Sequence, residues 1–125
     1  EYILKGYNDK QEINGFVSAG TFLKETIKEE NEYNDIQIML VKYDKQGKLL
    51  WEYDYGKTKE DKLYYLTYSY NNENKINGYI IYVDKTYNKE EQQEQKIEIV
   101  RIDLKGKIIE EKELNLTNTI LNKVI

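Results

Sequence analysis

The chain has 125 residues, a net charge of −4 and 34% charged residues, which fits one domain with a small apolar core and a solvated surface. The negative charge argues against a nucleic-acid binder that neutralises phosphates, and no apolar run approaches the length of a membrane span. Cysteine and histidine are both absent, which excludes disulfides, thiolate nucleophiles and Ser-His-Asp catalysis.

The first half of the chain is predicted to form four strands. Thirteen tyrosines and no proline favour the pleated, half-buried surface of a sheet. Between residues 49 and 55, one set of alternate positions is leucine or aromatic, and the other set includes Glu52 and Asp54. This alternation has the period of a strand. The charged stretch Lys24–Asp35 is the best helix candidate, but a polar loop is the favoured interpretation. The predicted strands are Tyr2–Tyr7, Gly15–Phe22, Ile36–Tyr43 and Lys48–Tyr55.

The second half of the chain is predicted to repeat this arrangement. Its predicted strands are Lys62–Tyr70, Gly78–Lys85, Lys96–Ile102 and Lys107–Leu114. The last of these strands carries many charges, as expected of an exposed sheet edge. Residues 115–125 form a tail or the start of a further strand. We therefore divide the chain into repeat 1, about residues 1–56, and repeat 2, about residues 57–114.

The evidence for a repeat is the recurrence of two short motifs. Asp44 and Gly47 recur as Asp103 and Gly106, and the dipeptide Asn-Gly occurs upstream in both halves. An Asp-x-x-Gly between two strands is typical of a hairpin whose last turn residue has a positive φ, because glycine adopts that conformation without a Cβ clash. A calcium loop would need more acidic oxygens, and a phosphate loop would need a helix after it. The sequence predicts positive φ at both glycines.

The repeat resembles that of bacterial surface β-propellers. In repeat 1 the stretch from "NGFVSAGTF" to "VKYDKQGKLLWEYDYGKTKED" carries the resemblance, whereas repeat 2 has Glu110 or Glu111 in place of the tryptophan. The resemblance implies four-stranded blades, usually in larger rings, in exported or cell-surface proteins with no shared catalytic activity. The positions that match are Gly15, Phe16, Gly20, Thr21, Asp35, Lys42, Tyr43, Asp44, Gly47, Trp51, Tyr55, Gly56 and Asp61.

Two blades are fewer than the four that a ring needs. The sequence leaves three arrangements open: a small unit of two packed sheets, a ring completed by self-association, or part of a longer propeller. Because the chain begins without methionine, we expect it to lie inside a longer product with any export signal outside it. In all three arrangements Trp51 is predicted to be mostly buried and to contact Leu63–Tyr68 of the following repeat.

The function that these observations favour is a non-catalytic binding or scaffold module of a bacterial cell-surface or secreted protein. We expect no enzyme activity, no metal and no cofactor, no nucleic acid, and an unidentified protein or glycan as partner. The alternatives are a small interaction protein of the inhibitor or immunity type and, third, a carboxylate-based glycan hydrolase. Such a hydrolase needs two carboxylates about 5–9.5 Å apart across a cleft.

The candidate binding site lies on the connections between the second and third strands of each repeat, Leu23–Asp35 and Tyr87–Gln95. Both connections are long and charged and differ from each other, and loops on a rigid sheet often carry binding. A solvated loop without a ligand is the alternative interpretation. The binding hypothesis predicts a negative, tyrosine-bearing surface for a cationic partner or a hydroxyl-rich glycan. Its residues are Glu29, Glu30, Glu32, Tyr33, Tyr87, Glu90, Glu91 and Glu94.

Overall fold

A computed structural model describes residues 2–28, 31–55, 62–84, 87–89, 92–94 and 96–115. Every regular element in these ranges is a β-strand, which confirms the predicted all-β class. None of the described residues forms a helix long and apolar enough to cross a membrane. The strands are β1 (Tyr2–Tyr7), β2 (Ile13–Lys28), β3 (Asn31–Asp44), β4 (Leu49–Tyr55), β5 (Lys62–Tyr70), β6 (Ile76–Asp84), β7 (Tyr87–Lys89), β8 (Gln92–Glu94), β9 (Lys96–Asp103) and β10 (Ile108–Asn115).

Eight strands form two antiparallel four-stranded sheets. The first sheet has the order β1-β2-β3-β4, and the second has the order β5-β6-β9-β10, with the short hairpin β7–β8 inserted between its middle strands. The predicted pair of meanders is therefore confirmed. The sheets also share irregularities, because both bulge in the first strand pair, at Gly6/Tyr7 and at Ser69/Tyr70.

The prediction of a polar loop over Lys24–Asp35 is wrong, and so is the helix alternative. The ladder between β2 and β3 continues outward to the pair Lys28 and Asn31, with Lys24 opposite Asp35. Backbone pairing does not require apolar side chains, and Thr26 and Ile27 are β-branched residues that suit a strand. The connection is a long hairpin rather than a loop.

The predicted Asp-x-x-Gly turns are confirmed at the level of individual atoms. Asp44 Oδ1 accepts hydrogen bonds from the backbone N–H groups of Gln46 and Lys48 at 2.9 and 2.8 Å. Gly47 has a φ of 86° and Gly106 a φ of 88°, a region that favours glycine. Asp103 makes the matching pair of bonds in repeat 2.

The first hairpin of each repeat uses the same chemistry with asparagine, which the sequence analysis missed. Asn8 Oδ1 accepts from the backbone N–H groups two and four residues later, and Asn71 does the same in repeat 2. The left-handed residues are Gln11, with a φ of 63°, and Asn74, with a φ of 59°. Because neither is glycine, the pattern lacks the signal that marked the other two turns.

The glycines of the two Asn-Gly dipeptides allow neighbouring strands to approach closely. A Cβ on Gly15 would overlap the carbonyl oxygen of Tyr43, and a Cβ on Gly78 would overlap that of Ile102. Each glycine stands opposite the aspartate that opens the next turn, Asp44 or Asp103. Glycine is therefore required at both positions for the close approach of the second and third long strands.

The two sheets pack front to back. The front face of the first sheet packs on the back face of the second sheet. The front face of the first sheet is defined by Leu4, Val17, Ala19, Leu40, Lys42 and Trp51. The back face of the second sheet is defined by Leu66, Tyr79, Ile81, Val100, Ile102 and Ile108, of which Ile108 in the edge strand stays 40% exposed. Residues that occupy matching places in the two repeats define the other faces. The front face of the second sheet contains Thr67, Ile80, Tyr82, Ile99, Arg101 and Glu110, and the back face of the first contains Ile3, Phe16, Ser18, Val41, Tyr43 and Leu49.

Trp51 joins the sheets at one end of the interface. Its indole Nε1 donates to the carbonyl oxygen of Leu104 at 3.3 Å, and its ring lies 6.1 Å from that of Tyr79. A Cβ on Gly106 would lie 2.7 Å from Trp51 Cδ2, so the indole rests on the second Asp-x-x-Gly turn.

The predicted environment of Trp51 needs correction on two points. The residue is half-buried rather than mostly buried, and the contacts that hold it lie in β6 and in the turn between β9 and β10. The predicted segment Leu63–Tyr68 contacts β1 instead: Tyr2 OH donates to Tyr64 O at 2.7 Å and Tyr68 OH donates to Lys5 O at 2.8 Å. Front-to-back packing explains this difference, because it places β1 over β5 and β4 over the far turn.

We expect alanine to be tolerated less well at Gly106 than at Gly47. Both changes strain a left-handed residue by about 1 kcal/mol, but only the new Cβ at Gly106 meets Trp51. The overlap should add roughly 1–3 kcal/mol in urea unfolding. In a Trp51→Ala background the two costs should agree within about 0.5 kcal/mol. Equal costs in the parent protein would contradict the contact between the indole and the turn.

We expect Gln11→Gly to destabilise the protein and Asn74→Gly to leave it nearly unchanged. Gln11 Nε2 donates to Ile76 O at 2.7 Å, and Gln11 Oε1 accepts from Ile76 N at 2.8 Å, so its side chain ties the repeats together. Losing both bonds should cost about 1–3 kcal/mol, whereas exposed Asn74 should change stability by about 0.5 kcal/mol at most. Chemical unfolding of both variants tests this, and a matched small effect would contradict it.

Candidate functional site

The structure places half of the predicted binding residues on hairpins. Glu32 and Tyr33 lie in β3, opposite Ile27 and Thr26 of β2. Tyr87 and Glu94 are direct partners in the β7–β8 hairpin. The other four residues lie outside the described part of the chain, and they are Glu29, Glu30, Glu90 and Glu91.

Both hairpins connect the second and third long strands of their sheets. They therefore leave corresponding ends of the two sheets, which is the topological placement that the sequence predicted. Their forms differ, because the first continues the main ladder whereas the second is a separate two-stranded unit. Backbone pairing sets the spacing of residues along each strand of a hairpin, which a solvated loop does not do. The binding hypothesis remains a prediction at these residues.

A cluster of tyrosines lies between the sheets. The ring of Tyr68 is 5.7 Å from that of Tyr7 and 6.0 Å from that of Tyr79. Tyr79 OH accepts a hydrogen bond from the backbone N–H of Tyr7 at 3.2 Å, so it links the second sheet to β1. These rings stabilise the interface through edge and tilted contacts. Sheet packing therefore accounts for these three tyrosines without a ligand.

Lys42 is a buried amine that the sequence analysis did not single out as a polar residue of the core. Its side chain is 2% exposed, its stem lies over Gly6, and Nζ donates to the carbonyl oxygen of Tyr7 at 3.2 Å. The signal was present in the sequence, because Lys42 follows Ile38 and Leu40 on the inward set of alternate residues in β3. A desolvated amine of this kind can act as a nucleophile. Here the amine is engaged in its hydrogen bond to the Tyr7 carbonyl.

Burial shifts the titration of this inter-sheet region. It raises the pKa of Tyr68 to about 12, with smaller contributions from Tyr7 and Tyr79, and it raises the pKa of Tyr79 as well. Burial lowers the pKa of Lys42. In each case the low-dielectric surroundings disfavour the charged form, which is a tyrosinate or an ammonium.

Exposed apolar residues mark a second candidate surface, which the sequence analysis also missed. On the back face of the first sheet, Ile3 is 67% exposed, Phe16 49% and Tyr43 38%. Phe16 is the direct cross-strand partner of Tyr43, so their side chains form one continuous patch on the sheet. Contiguous exposed apolar patches on a sheet are typical of interaction surfaces.

Among the described residues no group of three or more carboxylate, histidine or cysteine side chains is placed to hold a metal ion. No family model, no curated protein and no solved structure matches the chain. The candidate surfaces must therefore be interpreted from their own geometry.

We expect the stability of the protein to fall above pH 10 through Tyr68. Its folded pKa of about 12 lies above the unfolded value of 10.0, so the stabilisation is complete below pH 10 and is lost between pH 10 and 12. Lys42 acts in the opposite direction, because its lowered folded pKa makes stability rise as the pH approaches 10.5. Urea unfolding from pH 8 upward should therefore show a flatter decline for Tyr68→Phe.

The control variant for this titration is Lys42→Met. It removes the opposing contribution, so its stability should decline more steeply with pH than that of the parent. Changes of the same sign in both variants would contradict the two pKa shifts.

Proposed function

We propose that the chain is a non-catalytic binding or scaffold module of a bacterial cell-surface or secreted protein built from β-propeller-like repeats. The observation that carries the proposal is the repeated sheet. Both sheets have the same strand order, the same turn chemistry and matching bulges at Gly6/Tyr7 and Ser69/Tyr70, and they stack front to back. A fold of this kind is built by adding units, each of which packs on its neighbours.

The use of polar side chains supports the proposal. Asp44 and Asp103, the aspartates of the repeated motif, are engaged by backbone N–H groups of their own turns. Asn8 and Asn71 are engaged in the same manner. These residues stabilise hairpins, which makes the sheets rigid supports for whatever their ends display.

The ligand class follows from the charged hairpins between the second and third long strands. The six candidate glutamates and two tyrosines in the sequence of the connections Leu23–Asp35 and Tyr87–Gln95 favour a cationic partner or a hydroxyl-rich glycan. The carboxylates would attract lysine or arginine side chains or accept hydrogen bonds from sugar hydroxyls, and the tyrosines would stack on apolar sugar faces. Charge attraction of this type weakens as salt screens it.

Neutralising the hairpins tests the proposal. The hairpin variant replaces Glu29, Glu30, Glu32, Glu90, Glu91 and Glu94 with glutamine. The control variant removes the same number of charges elsewhere by amide substitution at Asp9, Glu12, Glu52, Glu73, Glu110 and Glu111, which are exposed. Both variants are measured against an oligolysine peptide and an array of bacterial polysaccharides at low and high salt.

We expect the hairpin variant to bind the recognised probe at least about tenfold more weakly than the parent. The control variant should stay within about twofold of the parent, because its charges lie away from the hairpins. Equal losses in both variants would indicate only a net-charge effect. Unchanged binding by the hairpin variant would place the binding surface elsewhere and overturn this assignment.

A further inference from the structure

The interface between the two sheets contains a surface whose counterpart in the first sheet is exposed. The back face of the second sheet is covered, and its Tyr79 and Ile102 are 0% exposed. The matching residues of the first sheet are Phe16 and Tyr43, which are 49% and 38% exposed. The same backbone arrangement therefore presents an apolar back face twice. In the first sheet, Ile3, Phe16, Tyr43 and Leu49 of this face are exposed and Val41 at its centre is buried.

The turns show the same difference. A Cβ on Gly106 would meet Trp51, whereas a Cβ on Gly47 would have no atom within 4 Å among the described residues. Both turns have the same hydrogen bonds and nearly the same φ, so the geometry that receives the indole in repeat 2 is also formed in repeat 1. The turn at Gly47 can thus accept the end of another sheet.

The front face of the second sheet matches the front face of the first sheet, which packs on a back face inside the chain. We call the front face of the second sheet the donor face. Its Arg101 occupies the place of Lys42 and donates to Ser69 Oγ at 2.8 Å, as Lys42 reaches across Gly6 to Tyr7 in the first sheet. Ile80 and Ile99 stand where Val17 and Leu40 stand in the first sheet. Ile80, Ile99 and Arg101 are half-buried and form an apolar strip with a cationic end, which is the pattern of the front face of the first sheet.

We propose that the back face of the first sheet docks a second copy of this chain through the front face of that copy's second sheet. The contact would continue the stacking seen inside the chain, and the same surfaces would remain available at both ends of the pair. Such a head-to-tail contact is heterologous, so it builds a ring if the rotation closes and a filament if it does not. The proposal rests on the proposed scaffold function.

The contact between copies lacks a counterpart of Trp51. Glu110 occupies the place of Trp51 on the donor face, and its carboxylate lies 3.4 Å from Arg101. A carboxylate does not supply the aromatic area that Trp51 lays on the turn at Gly106. The contact between copies should therefore be weaker than the internal one and should depend on protein concentration.

Sedimentation velocity over about a hundredfold range of concentration tests the proposal. We expect the parent to self-associate at the upper end, Phe16→Glu to abolish association, and Glu110→Trp to tighten it at least about tenfold. Adding Phe16→Glu to Glu110→Trp should remove the gain. Circular dichroism checks that every variant folds.

A mixing experiment tests the head-to-tail geometry. In the Glu110→Trp background, Phe16→Glu blocks the back face and leaves the donor face intact, whereas Ile99→Glu blocks the donor face and leaves the back face intact. Each chain alone should be a monomer, and the mixture should stop at a one-to-one pair. Mixed chains that stay monomeric, or single variants that still associate, would overturn the proposal.

Other outcomes also decide the question. A parent that remains monomeric over the whole concentration range overturns docking of a second copy, whatever the variants do. Failure here is distinguishable from failure of the proposed function, because binding through the charged hairpins is measured on the monomeric Phe16→Glu variant. Loss of hairpin binding with intact self-association would overturn the proposed ligand surface and leave the stacking contact standing.

Discussion

The packing of Trp51 on the turn at Gly106 fixes one edge of the stack of two sheets. The turn must present a bare glycine, because any Cβ there would overlap the indole. The hydrogen bond from the indole to Leu104 then sets the position of β4 over the second sheet. At the other edge of the interface, two hydrogen bonds between the Gln11 side chain and the Ile76 backbone connect the sheets. The tyrosine and aliphatic core lies between these two attachments.

This manner of stacking has a consequence for function. When sheets pack front to back, the front face of one sheet covers the back face of the next, so an open stack ends in one uncovered front face and one uncovered back face. The exposed back face at Phe16 and Tyr43 is such an end. The repeat thereby separates two tasks, because the faces of the sheets are used for stacking whereas the hairpins at their ends are free to differ. Binding chemistry is best sought on those hairpins.

Several elements were predictable because their signals are local. The strands follow from period-two alternation and from tyrosine, valine and isoleucine content, and the turns at Gly47 and Gly106 follow from a motif that only a positive φ explains. The turns at Asn8 and Asn71 escaped prediction because glutamine and asparagine fill their left-handed positions. The hairpin extension over residues 24–35 escaped because its charged sequence resembles a loop, whereas backbone pairing depends on register rather than on polarity.

The sequence by itself determined the all-β class, the two meanders and the chemistry of the turns, since each arises from residues that are close along the chain. Only the tertiary structure decided which faces meet, that Lys42 is enclosed with its ammonium on the Tyr7 carbonyl, and that Trp51 lies on the far turn. Both faces of each sheet are partly apolar, so polarity alone does not distinguish front from back. The fit of one indole to one bare turn does distinguish them, and that fit exists only after the sheets have folded.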